Sequence, residues 1–271
     1  MLIEDDEPAY WWLAQEYEGP DGVRRRREGF VAALRVEPYE NRVILPHELT
    51  HAGPKEGRLR LLRATRTQLE PLFFLWDGSI DVDGLGEPDL ESGGDSLWRL
   101  DAEFGEALTE ALADAQLLIA DGHHRYETTL ASGEEWILAV IVPTEQEGLT
   151  IFPTHRLAQS ADGVKGEEIP PPGDVLPGPV LYRDGRYELL HGEGLDPAVV
   201  AALPLEGVTY TAYRDEATAA VDNGDAEAAF LLRPTRIEDV WAVAERGDVM
   251  PQKSTFFYPK LTSGLLMLPL D

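Results

Sequence analysis

Cysteine is absent from the 271 residues, which excludes disulfides, thiolate zinc sites and cysteine nucleophiles together. Long apolar runs are missing too. The longest, WILAVIV at residues 136–142, falls far short of the ~20 residues that a membrane-crossing helix needs. The chain opens MLIEDDEP, acidic where a secretory signal would be basic and then apolar, so the expected location is the cytoplasm. Basic side chains are scarce: 50 acidic residues against 23 basic ones leave a formal net charge of -27. That balance repels a phosphodiester backbone and argues against nucleic acid as a partner, and most of it reads as solvated surface.

What remains is an ordinary folded composition. Hydrophobic residues make up 43% and charged residues 27%, with 25 Gly and 20 Pro, which excludes a collagen, a coiled coil and a disordered tail. The length suits one large domain or two small ones. Dense aromatics at residues 10–17, a turn at 19–22 and the alternating GFVAALRVEPY predict an opening β-hairpin. Its four arginines, Arg24 to Arg27, form either a solvated edge or an anion patch. Residues 55–68 read as an amphipathic helix with a basic face, LFFLW as a buried strand, and 77–95 as a turn and exposed loop. A helix at 101–115, the strand QLLIA, the turn DGHHR, a helix from about Tyr126 and the strand WILAVIVP follow, and IFPTHRL closes this half. Residues 160–178, Pro-rich and without period, read as a linker or loop. Beyond it come a hairpin turning at Asp184-Gly185, the helix DPAVVAAL, the strand GVTYTAY, the helix DEATAAVDNG, the strand AAFLL and a helix at 237–245. The class is α+β, or mixed α/β.

The scarce Lys and His residues gather in three segments: HELTHAGPKEGRLRLLRATR, ADGHHRYETTL and MPQKSTFFYPK. The first contains HELTH at residues 47–51, an HExxH match that would serve a zinc hydrolase if His47 and His51 shared one helical face with Glu48 as base. Pro46 and Gly53-Pro54 break any such helix, so a coincidental spacing is expected. The second places Asp121, Gly122, His123, His124 and Arg125 between an apolar strand and a helix. A Gly turn, unpaired helix N–H groups and an Arg fork make an anion cradle, while a tight turn with an Asp cap and two surface His is the plainer alternative. In the third, Lys253, Ser254 and Thr255 suit a phosphate or carboxylate, or else simply form a turn beside core aromatics.

Through LPHELTHAGPKEGRLRLLRAT, IADGHHRYETTL and VAERGDVMPQKSTFFYPKL the chain resembles the prokaryotic family known as domain of unknown function 1015. Members of that family usually carry a further N-terminal stretch before the segment matching Pro8 to Tyr17, and this chain departs from them there. More distantly, PHE and DGHHR are similar to the free-serine kinases of the ParB and sulfiredoxin-like superfamily. That resemblance implies a ParB/sulfiredoxin-like nucleotide-binding domain over 1–159, and the Pro-rich stretch at 160–178 then leaves a smaller α/β domain over 179–271, expected to pack on the first. It also implies that Glu48 matches the catalytic Glu and that residues 121–125 match the phosphate-binding loop.

The expected function is therefore phosphoryl transfer from a nucleotide to a small hydroxyl substrate. Glu48, with His47 beside it, would take the hydroxyl proton. Gly122, His123, His124 and Arg125, with Lys55 and Arg58, would hold phosphates, and Asp121 would ligand Mg²⁺. A nucleotide- or metabolite-binding regulatory module without turnover is the second reading and a zinc hydrolase the third. The oligomeric state stays open.

Overall fold

The opening hairpin pairs β1 (Tyr10–Glu18) antiparallel with β2 (Arg24–Arg35) from Trp11↔Val31 to Glu18↔Arg24, and each strand buries four consecutive residues, 12–15 and 29–32, with exposed positions toward the turn. The computed structural model describes residues 5, 7–48, 50, 52–80 and 82–270, with the side chains of 52–56 outside the described set. Two compact units divide the chain: Met1–Thr150 with Ala244–Gly247 and Pro259–Asp271, and Ile151–Val243 with Asp248–Tyr258.

In the first unit the hairpin joins β3 (Ile44–Leu45), β5 (Leu72–Trp76), β6 (Leu90–Ser92), β7 (Asp95–Leu100), β8 (Leu117–Asp121) and β9 (Trp136–Pro143), with β4 (Thr67–Gln68) outside that sheet. The eight strands run in the order β3-β8-β5-β9-β2-β1-β7-β6. β3·β8 and β5·β9 are parallel and the other pairs antiparallel. All five residues of β5 are buried, which is why LFFLW shows no polar alternation. Its Leu72, Phe74 and Trp76 join Trp12, Phe30, Ile119 and Ile141 in the core. Leu108 of α2 (Ala102–Leu112) and Tyr126 of α3 (His123–Ser132) pack into the same cluster. The basic helix is α1 (Ala52–Thr65). Arg25 and Arg26 of the arginine run pair with Asp21, Glu16 and Glu28 at the surface, whereas Arg27 is 1% exposed.

The second unit carries a six-stranded antiparallel sheet, β12-β14-β13-β16-β11-β15. Its strands are β11 (His155–Ala158), β12 (Glu167–Ile169), β13 (Val180–Arg183), β14 (Arg186–Leu189), β15 (Thr209–Thr211) and β16 (Ala228–Leu231). Helices α4 (Asp196–Ala201), α5 (Arg214–Asp222) and α6 (Ile237–Glu245) accompany it, and β10 (Thr150–Phe152) pairs with β17 (Phe256–Tyr258). The hairpin turn at Asp184 and Gly185 has φ of 53° and 72°, as a two-residue turn with both central residues left-handed requires. Two expectations need correction. IFPTHRL lies in this unit, and residues 160–178 are part of it as well, because Ala161, Val164 and Leu176 are buried and β12 lies within the stretch. The last strand, β18 (Leu268–Pro269), belongs to the first unit and pairs with β4. Among the described residues no helix is long and apolar enough to cross a membrane.

Candidate functional site

β8 runs apolar through Leu117, Leu118, Ile119 and Ala120 and ends on Asp121. Gly122 then turns the chain with φ +105° and N-caps α3, which begins at His123, three residues earlier than the sequence suggests. A Cβ at residue 122 would stand 2.9 Å from Leu72 Cγ and 3.1 Å from Arg125 Nη2, so both the backbone angle and the close approach demand glycine. Tyr126, fully buried, fixes the first turn. Its ring stacks on Tyr39 at 5.4 Å, and its hydroxyl donates to the Glu37 carbonyl at 2.6 Å and accepts the Glu37 N–H at 2.9 Å.

The parallel pairing of β3 with β8 brings the 47–50 segment to this turn. The His47 N–H donates to His123 Nε2 at 3.2 Å, and the two rings meet edge to face at 4.7 Å. His47 Nδ1 lies 2.7 Å from the Ile119 carbonyl, an acceptor, so that nitrogen carries the proton; the bond His123 accepts likewise leaves its own proton on Nδ1. Burial pushes His47 down to about 4, and it pushes His123 well below its ordinary 6.5. Both rings are therefore neutral at pH 7 and add no positive charge to an anion site, contrary to the expectation for His123. Two residues past Glu48, the Thr50 hydroxyl lies 2.8 Å from each carboxylate oxygen of Glu127 on α3. Glu48 is half-buried, one residue from the His47–His123 contact.

Arg125 takes a different role from the phosphate fork expected of it. Nη1 donates to the Pro71 carbonyl at 2.7 Å and lies 3.2 Å from Glu70 Oε2, while Nη2 donates to Asp121 Oδ2 at 3.1 Å. With only 18% of its side chain exposed, it ties the loop before β5 to the α3 N-terminus. Asp121 is engaged on its other oxygen as well, because Lys260 Nζ lies 2.5 Å from Oδ1. A divalent ion at Asp121 would compete with an ammonium and a guanidinium for one carboxylate, so this donor set does not fit the Mg²⁺ role expected of it.

The remaining candidates are dispersed. Arg58 is exposed and walls a cavity of about 100 Å³ with Leu62, Glu70, Leu72, Arg125 and Thr129. The side chain of Lys55 and all of His51 lie outside the described residues. α1 starts at Ala52, after His47 and Glu48, so those two residues of HELTH are not helical. Among the described residues no group of three or more His, Cys, Asp or Glu is placed to hold a metal. Lys253, Ser254 and Thr255 belong to the second unit, where Ser254 is 3% exposed and its hydroxyl donates to the Pro251 carbonyl at 2.6 Å. That hydroxyl closes a turn and is withdrawn from solvent, contrary to the anion-binding expectation. Thr50, Glu127 and Lys260 are site residues that sequence reasoning missed. All three lie in segments already singled out, and of the three Lys260 alone belongs to a scarce residue type.

Solved structures share this fold. A free serine kinase variant in complex with ADP is 14% identical, with a TM-score of 0.59, over 89% of this chain and 92% of its own. SbnI from Staphylococcus aureus, truncated at its C-terminus, is 13% identical with a TM-score of 0.57 over 89% and 87%. A conserved hypothetical protein from Pyrococcus furiosus is 15% identical with a TM-score of 0.51 over 86% and 94%. At these identities the likeness shows the fold, and that fold is one in which a free serine kinase holds AMP or ADP. No curated protein sequence matches the chain. The model of a family described as a protein of unknown function, DUF1015, matches residues 1–170, and the chain belongs to that family.

Proposed function

We propose that the protein is a nucleotide-dependent phosphotransferase that acts on a small hydroxyl-bearing substrate in the cytoplasm. The observation that carries this reading is the bond from the His47 N–H to His123, which joins segments 76 residues apart and sets Glu48 beside the N-terminus of α3. A helix begun by a left-handed glycine, with no acidic residue in its first turn, favours anions through its leading N–H groups and its dipole. Phosphoryl transfer asks a protein chiefly for positioning and charge stabilisation. In the reaction the substrate hydroxyl oxygen forms a bond to the terminal phosphorus, the bond from phosphorus to the nucleotide oxygen breaks, and Glu48 accepts the hydroxyl proton. The α3 N-terminus holds the phosphates. Asp121 and Arg125 act by holding the loop that starts α3, and Asp121 also pairs with Lys260. The cavity of about 100 Å³ walled by Arg58 and Arg125 suits a small acceptor. The fold shared with nucleotide-bound free serine kinases supports the same reading.

The test has two stages. Thermal shifts with AMP, ADP, ATP and other nucleotides identify the donor, because a ligand of the native state raises the melting temperature by mass action. Phosphorus NMR then follows that donor with a set of small hydroxy compounds. Turnover by the wild type, lost about 10²–10⁴-fold in Glu48→Gln with nucleotide affinity retained, is the expected result. Nucleotide binding with no turnover against any acceptor would instead indicate a regulatory module, and no nucleotide binding would refute the reading.

A further inference from the structure

Helical spacing sets Arg58, Leu61 and Leu62 on one side of α1, and all three wall the cavity of about 100 Å³, together with Leu69 and Leu72. The other polar side chains of that lining are spent inside the protein. Thr67 donates to the Thr65 carbonyl at 3.0 Å, and Thr128 and Thr129 donate to the His124 and Arg125 carbonyls at 2.7 and 3.0 Å. Gln68 donates to the Trp136 carbonyl at 2.8 Å and accepts the Leu138 N–H at 2.6 Å. Glu70, the one carboxylate among these residues, lies 3.2 Å from Arg125, which also serves Pro71 and Asp121. Arg58 alone of the polar lining has neither a hydrogen bond nor an ion pair.

In a chain of 50 acidic and 23 basic residues, an arginine without a carboxylate beside a cavity stands out. Its neighbour is a like charge. Burial lowers the Arg125 pKa from its ordinary value, Asp121 and Glu70 act against that, and Arg58 adds to the lowering. The lining thus holds two guanidiniums to one carboxylate, and that carboxylate is already engaged, so the cavity offers a partner to an anion and none to an ammonium. One uncommitted guanidinium matches the single charge and planar fork of a carboxylate, whereas a phosphate monoester brings about 1.5 to 2 negative charges. An apolar cavity of about 150 Å³ admits benzene, so on that scale this one takes about four or five non-hydrogen atoms.

We infer that Arg58 sets the acceptor specificity of this site: the cavity takes a small hydroxy acid without an amino group, its carboxylate on the Arg58 guanidinium and its short carbon body against Leu61, Leu62, Leu69 and Leu72. The inference rests on the phosphotransfer reading for the fate of the hydroxyl, and adds to it the charge and size of the acceptor.

Calorimetric titration of lactate, glycerate and 3-hydroxypropionate, of the neutral counterparts 1,2-propanediol, glycerol and 1,3-propanediol, and of serine, into wild type, Arg58→Gln and Arg58→Lys tests it. At least one acid should bind the wild type about tenfold or more tightly than its neutral counterpart and than serine, and Arg58→Gln should erase that preference. Arg58→Lys should keep part of it, as a point charge without the fork. Arg58 is exposed, so the variants should melt with the wild type, and a variant that does not is replaced by Arg58→Met. Diols or serine binding as tightly as the acids, or acid affinity unchanged in Arg58→Gln, would overturn the inference. So would a wild type that binds none of the acids, even if phosphorus NMR shows transfer to another acceptor, in which case the phosphotransfer reading stands alone. Acids bound through Arg58 with no phosphorylated product from any nucleotide would uphold the site and refute the phosphotransfer reading.

Discussion

Replacing Arg125 with Ala removes a guanidinium that serves three partners at once, and the structure sets the size of the effect. The Pro71 carbonyl and Asp121 Oδ2 lose donors at 2.7 and 3.1 Å, and Glu70 loses its partner at 3.2 Å. A hydrogen bond to a charged group contributes about 1.5–3 kcal/mol. Asp121 and Glu70 keep 36% and 46% of their side chains in water, so solvent replaces part of what is lost, and the net destabilisation is about 2–4 kcal/mol. For a domain of this size that lowers Tm by roughly 5–15 °C. Arg125→Lys should recover less than half, because one ammonium cannot span the Pro71 carbonyl and two carboxylates in the planar arrangement of the fork. Melting curves and urea titrations give the stability change, and calorimetry with the best nucleotide gives the affinity. A variant with unchanged Tm and an affinity lowered tenfold would refute the positioning role and restore Arg125 as the phosphate fork.

Gly122→Ala forces a side chain into a φ of +105° and against Leu72; it should cost about 1–3 kcal/mol and abolish nucleotide binding. Gly133→Ala, at φ +78° with nothing within 4 Å of a Cβ, should cost about 1 kcal/mol and leave binding intact. The pair of variants, compared by melting and titration, separates a cradle from a mere bend. Stability should also fall on acidification. His47 holds its neutral form down to about 4 against 6.5 in the unfolded chain, so between those values only the unfolded state takes up the proton. The contribution of His47 is intact above pH 6.5 and is lost at about 1.4 kcal/mol per pH unit, about 3 kcal/mol by pH 4. His155 in the second unit, also pushed down to about 4 by burial, adds a similar slope. Urea midpoints from pH 7 to 4 in wild type and His47→Gln check this: the variant should decline less steeply, and parallel curves would show that His47 does not carry the effect.

The first unit's elements were legible where local chemistry and tertiary context agree. The dense aromatics and turn of the β1–β2 hairpin, the continuous apolar runs of β5 and β9, and the helical stripe of α2 are each long enough to be read. The sequence signal for α3 starts late because HHR offers no apolar residue to open the stripe; the helix start at His123 depends on the φ of Gly122. Residues 160–178 look like a linker because their apolar positions keep no period, yet Ala161 and Val164 are buried in a core cluster with Leu181 and Phe230. Irregular backbone packed into a core gives no periodic signal. Within the site, the segments around His47 and around Gly122 were visible as motifs, and strand pairing brings them together. The duties of individual residues were not visible. Whether an arginine faces a ligand or a carbonyl, or a histidine sits in water or in the core, depends on partners distant in sequence: Pro71 for Arg125, Ile119 for His47, Lys260 for Asp121.

The same dependence resolves the apparent conflict between a net charge of -27 and a polyanionic ligand. Exposed charges farther than a Debye length, about 8 Å at physiological salt, are largely screened, so a phosphate at the α3 N-terminus responds to its near neighbours. There Lys260, Arg125 and Arg58 stand against Asp121, Glu70, Glu127 and Glu48, a balance slightly negative, and the helix terminus adds about half a positive charge. The buried histidine pair supplies no charge of its own. What favours an anion there is therefore the backbone geometry of the α3 N-terminus rather than any surplus of basic side chains. On this account raising the salt concentration should weaken binding only modestly, as the few close cations predict, whereas a site relying on a broad basic surface would lose affinity steeply. A steep dependence of ATP affinity on salt in the wild type would contradict the local picture.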